Sequence, residues 1–264
     1  MNLSLIWDYP MSLILLEKIL DAYFACLPRK TPRPEQVSAA RLIAHRGAHD
    51  HAHGVIENTL TAFRLAAKAG CWGIELDVHA TADQVLVVNH DPTLKRLWGQ
   101  ELTIAKMPFA ALRAQVPQIP TLAEVVREFG GRVHLFIELK TPLPEEALVA
   151  VLQDLRPVRD YHLLSLNSTC FQLLSQFPKQ ALLLVAAHNN VGTFCNLSLS
   201  QQYGGVLGHY LLITNKFVRR LFAAQQMVGV GFVDSKNSLY RELNRGVSWI
   251  FTNRINKIST FLKQ

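Results

Sequence analysis

Five short clusters combine imidazole, carboxylate and cationic side chains: His45-Arg46-Gly47, Glu57-Asn58-Thr59, Glu75-Leu76-Asp77, His90-Asp91 and Glu138-Leu139-Lys140. Most of them close an apolar, β-branched run, such as Gly73-Ile74 before Glu75 or Val87-Val88-Asn89 before His90. Their polar groups should therefore sit where strands run out into loops. Residues two apart on a strand face the same way, so Glu75 shares a face with Asp77, and Glu138 with Lys140. Three convergent carboxylates with no sulfur ligand suit a hard divalent cation, Mg²⁺ or Ca²⁺. The simpler role for these acids is ion pairing with Lys or Arg, because acids inside an apolar strand are costly unless neutralised. Arg46 and Lys140 suit the oxygens of a phosphate, or pair with the same acids. His45 and His90 form a candidate acid–base pair, since imidazole exchanges protons near neutral pH. Either alone would read as a core or loop histidine. Together the set is what metal-assisted phosphoryl transfer requires.

The elements that must hold these groups are legible. Eight strands are predicted: 41–45, 73–78, 133–139, 161–166, 181–186, 204–207, 228–233 and 248–252. A further strand over 85–89 follows the second too closely for a parallel crossover, so it must return as a hairpin turning near Thr81-Ala82-Asp83. That hairpin brings His90 back toward Glu75 and Asp77. Helices fit between the strands. One runs from Thr59 to Ala69, capped by Asn58 or Thr59 and ended by Gly70. Thr121-Leu122-Ala123-Glu124 is a capping box. Others are expected over 144–155, 217–225 and 238–244, and residues 95–120 are only partly patterned. The fold class is therefore α/β, a (β/α)8 TIM barrel with an N-terminal helix and a β-hairpin excursion after the second strand. The length of 264 residues fits one such barrel of about 250 residues, although length alone also permits two domains.

Residues 11–27 read as an amphipathic helix with Leu13, Leu16, Leu20, Tyr23, Phe24 and Leu27 at helical spacing. The helix either packs on the barrel or makes a peripheral membrane or oligomer contact. Pro28 to Pro34 is a helix-incompatible linker. The expected division is thus 1–34, helix and linker, and 35–264, the catalytic barrel. The net charge of +7 is dispersed, and no nucleic-acid motif accompanies it. Cys26, Cys71, Cys170 and Cys195 show no CxxC or zinc spacing, so free, mostly buried thiols in a reducing compartment are expected. A secretory signal and a transmembrane span are not expected. His49, His51 and His53 lie past the first strand and read as a solvated loop, with accessory metal binding as the sharper alternative. His162, His188 and His209 suggest no partners.

In order and spacing, the five clusters resemble the glycerophosphodiester phosphodiesterase family, over roughly Leu42 to Asn253. The resemblance implies a TIM barrel, a divalent metal and cleavage of small-molecule glycerophosphodiesters to glycerol 3-phosphate and an alcohol. It also implies attack by the glycerol 2-hydroxyl with one histidine as base (His45) and the other as acid (His90), through a cyclic phosphate. Glu57 matches a family glutamate that adjoins the metal site; a helix-dipole role competes with it. Asn58 reads as a cap rather than a catalyst. Gly231 stands where the family usually has a pocket tryptophan, which leaves Phe232 to substitute. Leu166 replaces an aromatic residue and Arg254 an acidic or proline-containing continuation. These departures bear on specificity. Two alternatives follow: a lysophospholipase D working at a membrane through residues 11–27, and a phosphate-binding barrel that has lost turnover. A cytoplasmic location is expected, with membrane association as the variant.

Overall fold

The structure, a computed structural model, describes residue 19, residues 22–187 and residues 189–263. Eight parallel strands close into a barrel: β1 (Arg41–Ala44), β2 (Gly73–Ala80), β4 (His134–Leu139), β5 (Tyr161–Ser165), β6 (Leu182–Ala186), β7 (Gly205–His209), β8 (Met227–Gly231) and β9 (Trp249–Thr252). Closure is made by β1, which pairs with both β2 and β9. The intervening β3 (Leu86–Val88) runs antiparallel to the far end of β2, with Val78 opposite Val88 and Ala80 opposite Leu86. The predicted hairpin is thus present, and it turns over Thr81–Val85, where the Thr81 backbone N–H donates to the Val85 carbonyl.

Strand alternation sorts every side chain to one of two cores. Ile43, Phe136, Leu164, Leu183, Leu207, Trp249 and Phe251 fill the barrel interior. Their strand neighbours, including Leu42, Ala44, Leu135, Ile137, Leu163 and Ile250, face the helices in the main core. The interior parity of β2 and β4 carries Glu75, Asp77 and Glu138 to the top layer, with Asp77 paired in register to Glu138. Small residues make room for this filling. A Cβ on Gly229 would lie 2.5 Å from Leu207 Cδ2 and 2.9 Å from Phe251 Cε2, tighter than side-chain packing tolerates.

The helices lie where the apolar periodicity places them: Leu60–Lys68, Leu122–Phe129, Glu145–Leu152, Asn215–Ala223 and Lys236–Asn244. Two more, Val191–Gln201 and Ile255–Thr260, complete the ring. Thr59, not Asn58, caps the first helix, with its hydroxyl accepting from Ala62 N–H. The capping box at Thr121 and Glu124 forms as predicted. Residues 89–120 build a lobe over one side of the mouth, with a small core of Val87, Leu94, Ile104, Leu112, Val116 and Ile119.

Of the expected N-terminal helix, residues 22–26 are helical; residues 11–18, 20 and 21 lie outside the described residues. This segment docks on the barrel wall. Phe24 meets Tyr210 edge-on at 6.3 Å and lies under the Arg241 guanidinium at 5.2 Å. Asn237 Nδ2 donates to the Ala25 carbonyl at 2.7 Å and Asn244 Nδ2 to the Lys30 carbonyl at 2.7 Å. Among the described residues no helix is long and apolar enough to cross a membrane, and the four cysteines are free, with only Cys26 exposed.

Candidate active site

All eight residues singled out as catalytic, phosphate-binding, metal-ligating or adjoining the metal lie at the mouth, at the carboxyl ends of β1, β2, β4 and the hairpin. This is the end of the barrel where strand termini and loops converge. One carboxylate oxygen from each of Glu75, Asp77 and Glu138 can be chosen so that all lie within 4.8 Å of one another, and all three residues are buried. Lys140 Nζ sits between two of them, 3.1 Å from Asp77 Oδ1 and 2.6 Å from Glu138 Oε1. Arg46 Nε approaches Asp77 Oδ2 at 3.3 Å, and the Arg46 backbone N–H donates to Glu75 Oε2 at 3.0 Å. The simple ion-pair role is therefore visible, in a cluster whose carboxylate oxygens lie close enough together to hold a metal ion.

Three acids face two cations here, and the surplus falls on Glu75. Burial raises its carboxyl well above the usual range, and repulsion from Asp77 and Glu138 pushes it further. Its Oε1 is buried without a hydrogen-bond partner. Burial works against the Asp77 carboxylate too, but Lys140 and Arg46 overcome it and hold the group far down. A buried oxygen with no donor, in an all-oxygen set short of positive charge, is chemistry that a hard divalent cation completes. The residues present fit such an ion.

The two histidines are held differently. His45 lies just past β1, and its Nδ1 is 2.8 Å from Asn253 Oδ1. Asn253 is turned by Asp234: its Nδ2 donates to Asp234 Oδ2 at 3.3 Å and its backbone N–H to Asp234 Oδ1 at 2.9 Å. A carboxylate only accepts, so the amide nitrogen faces Asp234 and the amide oxygen faces His45. His45 must then donate from Nδ1, which leaves the Nε2 lone pair on the side of Glu75, 3.8 Å from Oε2. Burial first, then the Arg46 charge, lowers this imidazole to about 3. His90 Nδ1 instead meets a carboxylate, Asp91 Oδ1 at 2.6 Å. Burial, with the charges of Lys140 and Arg46, carries His90 down to about 4 against the pull of Asp77 and Asp91. His79 Nε2 fixes the His90 backbone by donating to its carbonyl at 3.1 Å.

Glu57 does not join the triad of acids. It accepts from Arg46 Nη1 at 2.9 Å and from Arg96 Nη2 at 2.8 Å. Burial opposes its charge, but the Arg96 hydrogen bond and the Arg46 charge outweigh burial and bring it to about 2. Asn58, expected to be a cap, is instead buried with its Nδ2 donating to Asp77 Oδ2 at 2.7 Å. Both Arg46 (φ 54°) and Asn58 (φ 58°) occupy the left-handed region, a strained backbone that tends to be kept where a side chain must be aimed.

In the loop histidines, His51 Nε2 approaches Glu57 Oε2 at 3.3 Å and His53 Nδ1 pairs with Asp50 at 2.7 Å. No metal-ligating cluster other than Glu75, Asp77 and Glu138 is found among the described residues. His162 has a partner after all, His134 Nε2 at 2.7 Å on the barrel floor, and His209 Nδ1 accepts from Leu211 N–H at 3.2 Å. His188 lies outside the described residues. Sequence reasoning missed Arg96, Asn253 and Asp234. The last two stand at the ends of predicted strands, which was the available signal; Arg96 lies in the weakly patterned stretch and offered none.

The chain is similar to proteins of known type along most of its length. The model of the Glycerophosphoryl diester phosphodiesterase family matches residues 45–257. The glycerophosphodiester phosphodiesterase of Bacillus subtilis is 28% identical over 250 residues, 80% of this chain and 82% of that protein. Glycerophosphodiester phosphodiesterase 1 of Mus musculus is 36% identical over 140 residues, 46% of this chain; the match spans only 41% of that relative's length. Among solved structures, a phosphodiesterase from Oleispira antarctica in complex with the product sn-glycerol-3-phosphate superposes with a TM-score of 0.72 at 25% identity, covering 85% of this chain and 97% of that one. The Thermotoga maritima glycerophosphodiester phosphodiesterase, 23% identical with a TM-score of 0.69 over 84% of this chain and 97% of that one, shares the fold. With the acid cluster and both histidines at the mouth of such a barrel, the chain belongs to the glycerophosphoryl diester phosphodiesterase family.

Proposed function

We propose that this protein is a metal-dependent phosphoric diester hydrolase that cleaves glycerophosphodiesters to sn-glycerol 3-phosphate and an alcohol. The observation that carries the reading is the buried meeting of Glu75, Asp77 and Glu138, with one Glu75 oxygen lacking any donor. Glu75, Asp77 and Glu138 would hold Mg²⁺ or Ca²⁺, which when bound offsets charge on the phosphate oxygens. Arg46 and Lys140 bind the remaining phosphate oxygens, and Glu57 keeps the Arg46 side chain extended across the mouth.

His45 is the base. Asn253 fixes its Nδ1–H, so Nε2 takes the proton of the glycerol 2-hydroxyl as that oxygen attacks phosphorus. His90 is the acid, and its carboxylate partner Asp91 stabilises the imidazolium it requires. The anionic diester engages Arg46 and Lys140, the cations that together with burial keep His90 neutral, and so favours the protonated form. His90 then protonates the departing alkoxide. Water opens the resulting cyclic ester with the roles exchanged: His90 takes a proton from water and His45 returns one to the glycerol oxygen.

A second substrate class is favoured by one observation. Phe232, 40% exposed, meets the His45 ring edge-on at 4.7 Å and gives the mouth an apolar wall suited to an acyl chain. Lysophospholipase D GDPD1 of Homo sapiens is 39% identical over 80 residues, 30% of this chain and 24% of that protein. In that setting residues 11–27 provide peripheral membrane contact, and 35–264 form the catalytic unit. A cytoplasmic site fits the four thiols that form no disulfide.

The deciding experiment incubates the protein with glycerophosphocholine and lysophosphatidylcholine, with and without chelator. Chelator-sensitive release of glycerol 3-phosphate supports the first reading. Lysophosphatidic acid as the sole product would replace it with the second. No turnover of either diester by folded, metal-loaded protein would leave a phosphate-binding barrel.

A further inference from the structure

His90 and Arg46 come from different parts of the chain, one from the hairpin return and the other from the β1 loop. A single guanidinium joins the carboxylates that orient them. Arg96 Nε donates to Asp91 Oδ2 at 2.5 Å, while Asp91 Oδ1 holds His90 Nδ1 at 2.6 Å. Arg96 Nη2 donates to Glu57 Oε1 at 2.8 Å, the same oxygen that accepts from Arg46 Nη1 at 2.9 Å. The run His90–Asp91–Arg96–Glu57–Arg46 is unbroken and charge-assisted at each step, the class of hydrogen bond that is shortest and strongest.

We propose that Arg96 is a positioning residue of the proposed reaction, acting on the leaving-group histidine through Asp91, with Glu57 as the second anchor of its guanidinium. The inference rests on the phosphodiesterase reading given above. A planar fork is needed because the two carboxylates are reached from different nitrogens, Nε and Nη2. A lysine ammonium is a compact point charge without that fixed fork. The lobe that carries Arg96 is built to present it. Leu94 is fully buried in the satellite core, and Trp98 Nε1 donates to Asn89 Oδ1 at 3.1 Å, so the helix Lys95–Trp98 is pinned on both sides of Arg96. Arg96 itself is half exposed, with 46% of its side-chain surface open. Removing it therefore takes away orientation and not core packing.

The test compares Arg96→Lys, Arg96→Ala and His90→Ala on two glycerophosphodiesters, glycerophosphocholine and the p-nitrophenyl ester. The second leaving group departs without needing a proton. If Arg96 acts through His90, kcat for glycerophosphocholine falls about 100-fold in Arg96→Ala and nearly as far in Arg96→Lys. KM should change less than about threefold, and the defect should shrink to less than about tenfold on the p-nitrophenyl ester, in parallel with His90→Ala. Added guanidinium should restore part of the lost turnover to Arg96→Ala. Full activity in Arg96→Lys would reduce the role to bulk positive charge and overturn the inference. So would an equal loss on both esters, or a loss confined to KM. Should Arg96→Ala fail to fold, Arg96→Lys carries the same comparison. If the wild type cleaves neither ester, the phosphodiesterase reading fails first, whatever Arg96 does.

Discussion

The two ends of the barrel each hold a pair of histidines, and they use them in opposite ways. On the floor, His134 Nδ1 lies 3.0 Å from the Arg159 carbonyl, so it donates there, and its Nε2 must accept from His162 Nδ1 at 2.7 Å. His134 stacks on Trp72 with rings 4.6 Å apart, and His162 stacks on Phe136 at 5.8 Å. Protonating His134 at Nε2 would set two N–H groups against each other. Burial outweighs the Arg159 carbonyl and the Asp160 charge at His134 and lowers it to about 4, and burial with the neighbouring His134 lowers His162 to about 3. At the mouth, each Nδ1 is tied to a separate polar partner, Asn253 or Asp91, and the rings stand among acids and cations. Burial lowers the imidazoles at both ends. What differs is whether the ring nitrogens are consumed by each other or turned toward charged groups that can meet a substrate.

The sharpest way to break this comparison is to exchange the losses. His45→Ala and His90→Ala should each lower turnover by about 100-fold or more with an unchanged circular-dichroism spectrum, whereas His162→Phe should leave kcat near the wild-type value. Activity that survives at the mouth, or is lost from the floor, would end the division of roles.

Next in size is the effect of the surplus acid. Glu75→Gln should weaken Mg²⁺ or Ca²⁺ binding about tenfold or more by calorimetry, since a charged ligand is lost. In chelator the same variant should be more stable by about 1 kcal/mol, because an ill-compensated buried charge is gone. A destabilised metal-free variant would show that Glu75 is structurally paired.

Asn253→Ala tests whether tautomer control separates the mouth from the floor. Freed of its Nδ1 partner, His45 should lose roughly 10- to 100-fold in kcat with little change in KM. An unaltered kcat would remove Asn253 and Asp234 from the account.

The smallest effect is on the pH dependence of stability. Both floor imidazoles titrate lower in the folded protein than the ordinary value of about 6.5. Between that value and about 3 to 4 the unfolded chain therefore binds more protons. Stability is full above the ordinary value and falls as the pH drops through this window, by up to about 1.4 kcal/mol per pH unit for each group. His162→Phe should be less stable at pH 7 by about 1–3 kcal/mol, because His134 Nε2 loses its donor. It should also show a shallower decline between pH 7 and 5 in urea titrations. An unchanged slope would mean that the floor histidines do not govern acid sensitivity.

The sequence by itself determined the strands and the identity of the candidate reacting set. Period-two alternation in runs such as Gly73–Val78 and Val133–Leu139 dictates which side chains enter the barrel, and closely spaced strands at 73–78 and 85–89 permit only a hairpin. Those rules act within a few residues, so His45, Glu75, Asp77, His90, Glu138 and Lys140 could be placed at strand ends without coordinates. Side-chain partners obey no such local rule. Asn58 sits where a cap belongs, yet its amide reaches Asp77, 19 residues away. Asn253 finds His45 across 208 residues, because barrel closure sets β9 beside β1. Arg96 meets Glu57 only because the lobe folds back over the mouth. Tertiary structure alone decided which imidazole is held by an amide and which by a carboxylate, since hydrogen bonds and charge balance depend on distances that chain closure creates.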